Sequence, residues 1–125
     1  GDMMQVMDIL KSAPEDFFFF FCDDALALPQ LACGMDGVIS VAANAYPNAF
    51  SDMVRLSLQH RFSEAKKLND ILIEAYNLMF AENNPAGVKA FLESMNIIRN
   101  ILRLPGVPVA QNLREAIHQY VNEWK

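Results

Sequence analysis

Five consecutive phenylalanines, Phe17 to Phe21, run into Cys22 and then into Asp23-Asp24. This apolar run of six residues is far short of the ~20 that a membrane-spanning helix needs. It is too short for a core helix, aromatic throughout, and bounded by the Pro14 turn on one side and the acidic pair on the other. Those are the marks of a strand buried on both faces, over residues 17–22. A second apolar run, Val38 to Val41, follows Gly37 and predicts another strand over residues 38–41. Between them Ala25 to Cys33 reads as helix, with Gly34 to stop it. Pro29 is tolerable there in a first turn if the helix proper begins near Leu28. Strand, helix and strand within about 25 residues form a compact parallel unit with a right-handed crossover. The fold class is therefore α/β.

The remainder of the chain is helical, so that by residue count helix dominates. Met3, Met4, Met7, Ile9 and Leu10 crowd one side of a segment that Asp2 caps and that stops near Pro14. Ala49 to His60 is amphipathic. Ser63 is expected to cap a long helix whose seam is Ala65, Leu68, Leu72, Ala75 and Met79, with alternating spacings of three and four. Asn84-Pro85, a cap followed by proline at the first helical position, opens a helix over Ala86 to Met95. Leu104-Pro105-Gly106-Val107-Pro108 is a rigid connector. Asn112 and Glu115 then make a capping box, in a modified form with Asn as the cap, for a last helix that ends near Trp124.

Composition excludes several classes of function. A chain of 125 residues buries one modest core, either a domain or a piece of a larger one. Hydrophobic residues at 53% and charged residues at 20% are a globular balance. A net charge of −5 argues against nucleic acid as partner, since such binders gather Lys and Arg on one face. No run suits a membrane, and the N-terminal residues lack the order of a signal peptide. Cys22 and Cys33 lack the spacing of a zinc site or a redox pair, so no metal or cofactor is expected. They fit the reduced cytoplasm.

Several strings go further. Asp23-Asp24-Ala25-Leu26, Leu28-Pro29, Gly34, Gly37-Val38-Ile39-Ser40-Val41, Ala43-Asn44 and Pro47 resemble the end of dihydrodipicolinate synthase, in the class I aldolase superfamily that includes N-acetylneuraminate lyase. Phe80, Asn84-Pro85, Val88-Lys89 and Leu102-Arg103-Leu104-Pro105 resemble the same family's C-terminal helical part. The resemblance covers nearly the whole chain. It implies a (β/α)8 TIM barrel of roughly twice this length or more, followed by an all-helical extension. This chain would be its C-terminal part. Residues 1–48 would be the last part of the barrel, with its last two strands, and residues 49–125 the final barrel helix and the extension. The family condenses pyruvate with aspartate semialdehyde through a lysine Schiff base, in lysine biosynthesis. The resemblance places that lysine, the proton-shuttle tyrosine and a Thr-Thr pair outside this chain, which alone is expected to be inactive. Two parallel strands alone would leave unpaired outer edges and an apolar phenylalanine run, so a homo-oligomer or a longer chain is expected. A related pyruvate-dependent aldolase, a pseudoenzyme, and a non-enzymatic helical protein-interaction module remain as alternatives.

Imine formation needs an amine with a depressed pKa inside a pocket. The lysines are Lys11, Lys66, Lys67, Lys89 and Lys125, and none follows a predicted strand. Lys89 reads as solvated or salt-bridged. No catalytic residue is thus expected in this chain. Ile39 matches the position whose backbone faces bound pyruvate in the family, its side chain being expected in the core. Asp23 and Asp24 close the first strand at the catalytic end, where paired carboxylates either move protons or cap a helix. Asn44 is either a substrate-facing amide or a turn former. His60 and His118 read as solvated, and Tyr46 and Tyr76 as packing residues with hydroxyls at the rim. The phenylalanine run departs from the family, whose members carry smaller aliphatics and then Ser-Gly where Phe21 and Cys22 stand. Overpacking of a barrel interior typically costs ~1–3 kcal/mol, so the run suggests a remodelled site.

Overall fold

In the computed structural model, which describes residues 2–124, Asp2 caps the first helix as its position predicts. The Asp2 carboxylate accepts from the Met4 amide at 2.8 Å, and α1 runs Met3–Ser12. The helix buries none of its residues: Met4, Met7 and Ile9 all stay exposed. The described chain divides into two compact units between Leu72 and Ile73.

The first unit contains the predicted strand–helix–strand order. β1 (Phe20–Phe21) and β2 (Gly37–Val38) pair in parallel, Phe20 opposite Gly37 and Phe21 opposite Val38, with α2 (Ala27–Ala32) between them. The strands are shorter than the expected 17–22 and 38–41. A strand keeps its extended form by pairing, and among the described residues each of these has one neighbour. Burial on both faces is also corrected. Phe21 is 8% exposed, whereas Phe18 and Phe20 stand open at 76% and 57%. Side chains alternate across a strand, so one face enters the core and the other faces out. Phe20 lies over Gly37, where a Cβ would come within 2.6 Å of its ring. A glycine at that register position leaves the space that the Phe20 ring occupies.

Two helices follow, and the second runs on past Leu72 into the next unit. α3 (Pro47–Leu58) starts on proline, whose fixed φ and missing N–H suit a first turn. It buries Phe50, Met53 and Ser57, and packs on α2. α2 and α3 both end in a left-handed residue with the paired bonds of a Schellman motif. Gly34 (φ 106°) follows α2, its amide bonding to Leu31 and that of Met35 to Gln30. His60 (φ 60°) follows α3, its amide bonding to Ser57 and that of Arg61 to Leu56. α4 (Phe62–Phe80) begins at once, with the Arg61 carbonyl accepting from the Glu64 and Ala65 amides. Ser63 therefore lies inside the first turn and does not cap it. The expected seam is present: Ala65, Leu72, Ala75 and Met79 are buried and Leu68 half-buried.

In the second unit, α5 (Ala86–Ser94) packs against α6 (Gln111–Glu123). Ala86, Gly87, Val88, Ala90 and Phe91 are buried on α5, and Leu113 and Ile117 on α6. A Cβ on Gly87 would stand 2.0 Å from the Met79 carbonyl oxygen, so that glycine allows two backbones to touch. Phe91 meets the Tyr120 ring edge-on at 5.9 Å, and Tyr120 lies 5.8 Å from Trp124. α5 closes on Asn96 (φ 60°), with the amides of Asn96 and Ile97 bonded to Glu93 and Leu92.

Both caps expected in this unit are corrected. Pro85, not Asn84, holds the cap position of α5, with no side-chain bond to it. Asn112 falls within α6, whose cap residue is Ala110. The Glu82 carboxylate accepts from the Ala110 amide at 3.1 and 3.2 Å. That is the bond a capping-box glutamate makes from three residues along, supplied here from 28 residues away.

Candidate functional site at the strand ends

Enzymes built on parallel α/β units place their chemistry where the strands end. Here the chain leaves β1 through Cys22, Asp23 and Asp24, and leaves β2 through Ile39, Ser40 and Val41. The Ile39 amide donates to the Phe21 carbonyl at 2.8 Å and extends the ladder by one bond. The Ile39 side chain is 66% exposed. It does not enter the core as expected, because it sits past the paired residues on the open side. With its amide engaged on β1, the carbonyl is the backbone group of Ile39 left to offer.

Asp24 is fully buried. Its Oδ2 accepts from the Ala42 amide at 2.8 Å and the Val41 amide at 3.1 Å. These amides open the 3-10 turn Ala42–Asn44, so Asp24 does cap a helical turn, though not the one that follows it in sequence. Its Oδ1 is buried with no hydrogen-bond partner among the described residues. Burial pushes its pKa above the ordinary 3.8, and the negative charge of Asp23 adds to that rise; the Ser40 hydroxyl and the Ala42 and Val41 amides oppose it. Asp23 takes the cap position of the 3-10 turn Asp24–Leu26 with no side-chain cap bond. The structure thus separates two residues that read alike: Asp24 is inward and bonded to the far strand end, Asp23 only half-buried.

A third carboxylate was not legible as part of this arrangement. Asp36, just before β2, donates its amide to the Phe19 carbonyl at 2.9 Å and accepts from the Phe19 amide through Oδ2 at 2.7 Å. One aspartate therefore clamps each end of a ladder only two residues long. Ser40 Oγ accepts from the Ala43 amide at 2.9 Å, and Asn44 Nδ2 donates to the Val41 carbonyl at 3.0 Å. Asn44 thus serves the turn.

The lysines keep to the helices. Lys11 lies in the last turn of α1, Lys66 pairs with Asp70, Lys67 is exposed, and Lys89 donates to the Ile101 carbonyl. Lys125 lies outside the described residues. His60 serves as the left-handed cap of α3, and His118 Nδ1 sits 3.0 Å from Ser94 Oγ. Tyr46 and Tyr76 are 5% and 2% exposed with their hydroxyls buried, so neither hydroxyl is at a rim. No three His, Cys, Asp or Glu side chains gather to hold a metal ion among the described residues. Nor is any helix there long and apolar enough to cross a membrane.

A parallel strand pair joined through a helix, with polar groups gathered where both strands end, makes this an α/β protein. Residues 1–124 match the model of the Dihydrodipicolinate synthetase family, and the chain belongs to that family. It is 42% identical to 4-hydroxy-tetrahydrodipicolinate synthase of Phocaeicola vulgatus over 125 residues, which is all of this chain and 42% of that protein. The fold is similar to dihydrodipicolinate synthase from Aquifex aeolicus, with a TM-score of 0.94 at 28% identity, covering 98% of this chain and 42% of that one. It is similar also to a chloride-inhibited dihydrodipicolinate synthase from Acinetobacter baumannii complexed with pyruvate, with a TM-score of 0.92, 30% identity and the same coverage. The chain thus spans about two-fifths of the length of the curated relatives it matches. The resemblance carried by the Gly37–Val41 and Leu102–Pro105 strings is borne out at the level of the family.

Proposed function

We propose that this chain is the C-terminal portion of a lyase that condenses pyruvate with aspartate semialdehyde through a lysine Schiff base, in lysine biosynthesis. Residues 1–48 supply the last part of the barrel with its final two strands. Residues 49–125 supply the final barrel helix and the helical extension. The observation that carries this reading is the strand pair itself. It is parallel, open along its outer edges, and bears the Ile39 backbone at the end where barrel enzymes bind substrate. The relatives' greater length supports a polypeptide that supplies the missing strands.

The role of Ile39 in this reading belongs to its carbonyl, which faces pyruvate. Asp23 and Asn44 lie at the rim of the same site. Neither the imine-forming lysine nor the proton-shuttle tyrosine lies in this segment, so the segment alone has no activity. The free, exposed thiols of Cys22 and Cys33 favour a reducing compartment, the cytoplasm.

Trapping tests this directly. The chain is incubated with pyruvate, reduced with borohydride and mapped by mass spectrometry. The expected result is no pyruvyl adduct at any lysine. A specific adduct at Lys89 would place the chemistry within this chain and end the reading.

A further inference from the structure

We propose that Asp24 is a positioning residue for the pyruvate-facing backbone, holding the turn after β2 from the end of β1. The inference rests on the synthase reading above and deepens it. Three observations carry it. The Asp24 carboxylate is fully buried and spends one oxygen on the amides of both Val41 and Ala42. The Ile39 amide is tied to Phe21 on the same strand from which Asp24 reaches. The segment from Ile39 to Ala42 is thus fastened to β1 at both its ends, and the Ile39 carbonyl lies between the fastenings.

Helix caps close to their own helix are common and local. A buried carboxylate that crosses from one strand end to the next is not needed for a local cap, and it places a negative charge where burial opposes it. The arrangement couples two loops that a barrel enzyme uses together. Asp23 is the charged neighbour that acts on this carboxylate, and the Ser40 hydroxyl is the polar group beside it. Oδ1, without a partner among the described residues, is the atom at which a proton would reside, and protonation weakens the acceptor that holds the two amides.

The experiment has two arms. In the first, the amide proton shifts of Val41 and Ala42 are followed by NMR in the labelled chain from about pH 2.5 to 8, spanning the carboxylate range. Both amides should titrate together with a midpoint above 3.8. Asp24→Asn should make both flat, and Asp23→Asn should leave the titration in place. Flat amides in the unaltered chain, or a titration that survives Asp24→Asn, overturn the proposal.

In the second arm, this chain replaces the stretch it matches in the Phocaeicola vulgatus synthase. Asp24→Asn in that full-length protein should raise the KM for pyruvate on the order of tenfold, since small misplacements of a binding group are costly. Asp24→Glu should recover part of the loss, and the folded fraction should not change. Unchanged KM and kcat in Asp24→Asn overturn the positioning role even if the amide titration is as expected. An inactive full-length protein before any substitution instead overturns the synthase reading, and the role that rests on it.

Discussion

The ends of β1 and β2 and the α5–α6 pair solve the same problem in opposite ways. Around α5 and α6 the chain supplies its own partners. Phe91 and Ile117 are fully buried, Gly87 lets backbones touch, and a carboxylate from Glu82 completes the start of α6. Each strand has a single neighbour among the described residues. Two residues pair on each side, aspartates clamp the ladder, and Phe18, Phe20 and Ile39 face outward. Helices satisfy their backbone internally and need only an apolar face covered. A strand leaves the backbone groups of its outer edge unpaired unless another element covers them. In the barrel proposed above, the helical pair would be the self-sufficient part and the strand pair the part that depends on further strands.

The sharpest break between the regions lies in two phenylalanines. Phe91→Ala should destabilise the chain by about 3–5 kcal/mol, as expected for emptying a fully buried aromatic site. Phe18→Ala should stay within about 0.5 kcal/mol, because its side chain is already in solvent. Urea unfolding of both variants measures this. Equal costs would remove the contrast.

Gly87→Ala should come next, at about 1–3 kcal/mol of destabilisation. The added Cβ meets a backbone carbonyl at 2.0 Å, which no side-chain rotation relieves. Alanine's better helix propensity, worth up to ~1 kcal/mol, offsets only part of it. Thermal unfolding should show a clear fall in Tm; a rise would mean that α5 shifts away freely.

Asp24 gives the smallest effect, visible as a pH dependence. Burial raises its folded-state pKa above 3.8, so the folded chain holds that proton more tightly than the unfolded one. The resulting stability is fully present below 3.8 and is lost as pH rises through the folded-state value. Asp24→Asn should remove this downward slope from the pH–stability curve. A slope unchanged in the variant would assign it to another group.

Much of the architecture was legible because its determinants are local. Asp2 and Gly34 act on neighbours within a turn, and the helical stretch between the two apolar runs is just long enough for a parallel crossover. What escaped is non-local. Glu82 reaches the start of α6 across 28 residues, so a local window chose Asn112 and Glu115 instead. Ser63 matched a cap pattern, but the α3 turn at His60 delivers the chain into α4 at Phe62, two residues before a Ser63 cap would start it. The acidic pair marked the strand end, yet nothing in Asp23-Asp24 says which one reaches Val41 and Ala42, 17 and 18 residues on. Asp36 has no motif at all, and only the parallel register places it opposite Phe19.

Hydrogen exchange on the isolated chain tests the central contrast most directly. The helical residues Ala90, Phe91 and Ile117 should retain their amide protons longer than Val38, Ile39 and Val41, because the α5 and α6 ladders run over several turns whereas the strand ladder is two residues long. If the chain is the C-terminal part of a barrel, as proposed, adding the polypeptide that supplies the other strands should raise protection at Val38 and Ile39 and leave the helical amides little changed. Strand amides more protected than the helical ones in the isolated chain would contradict the account, and would make the strand pair the self-sufficient part.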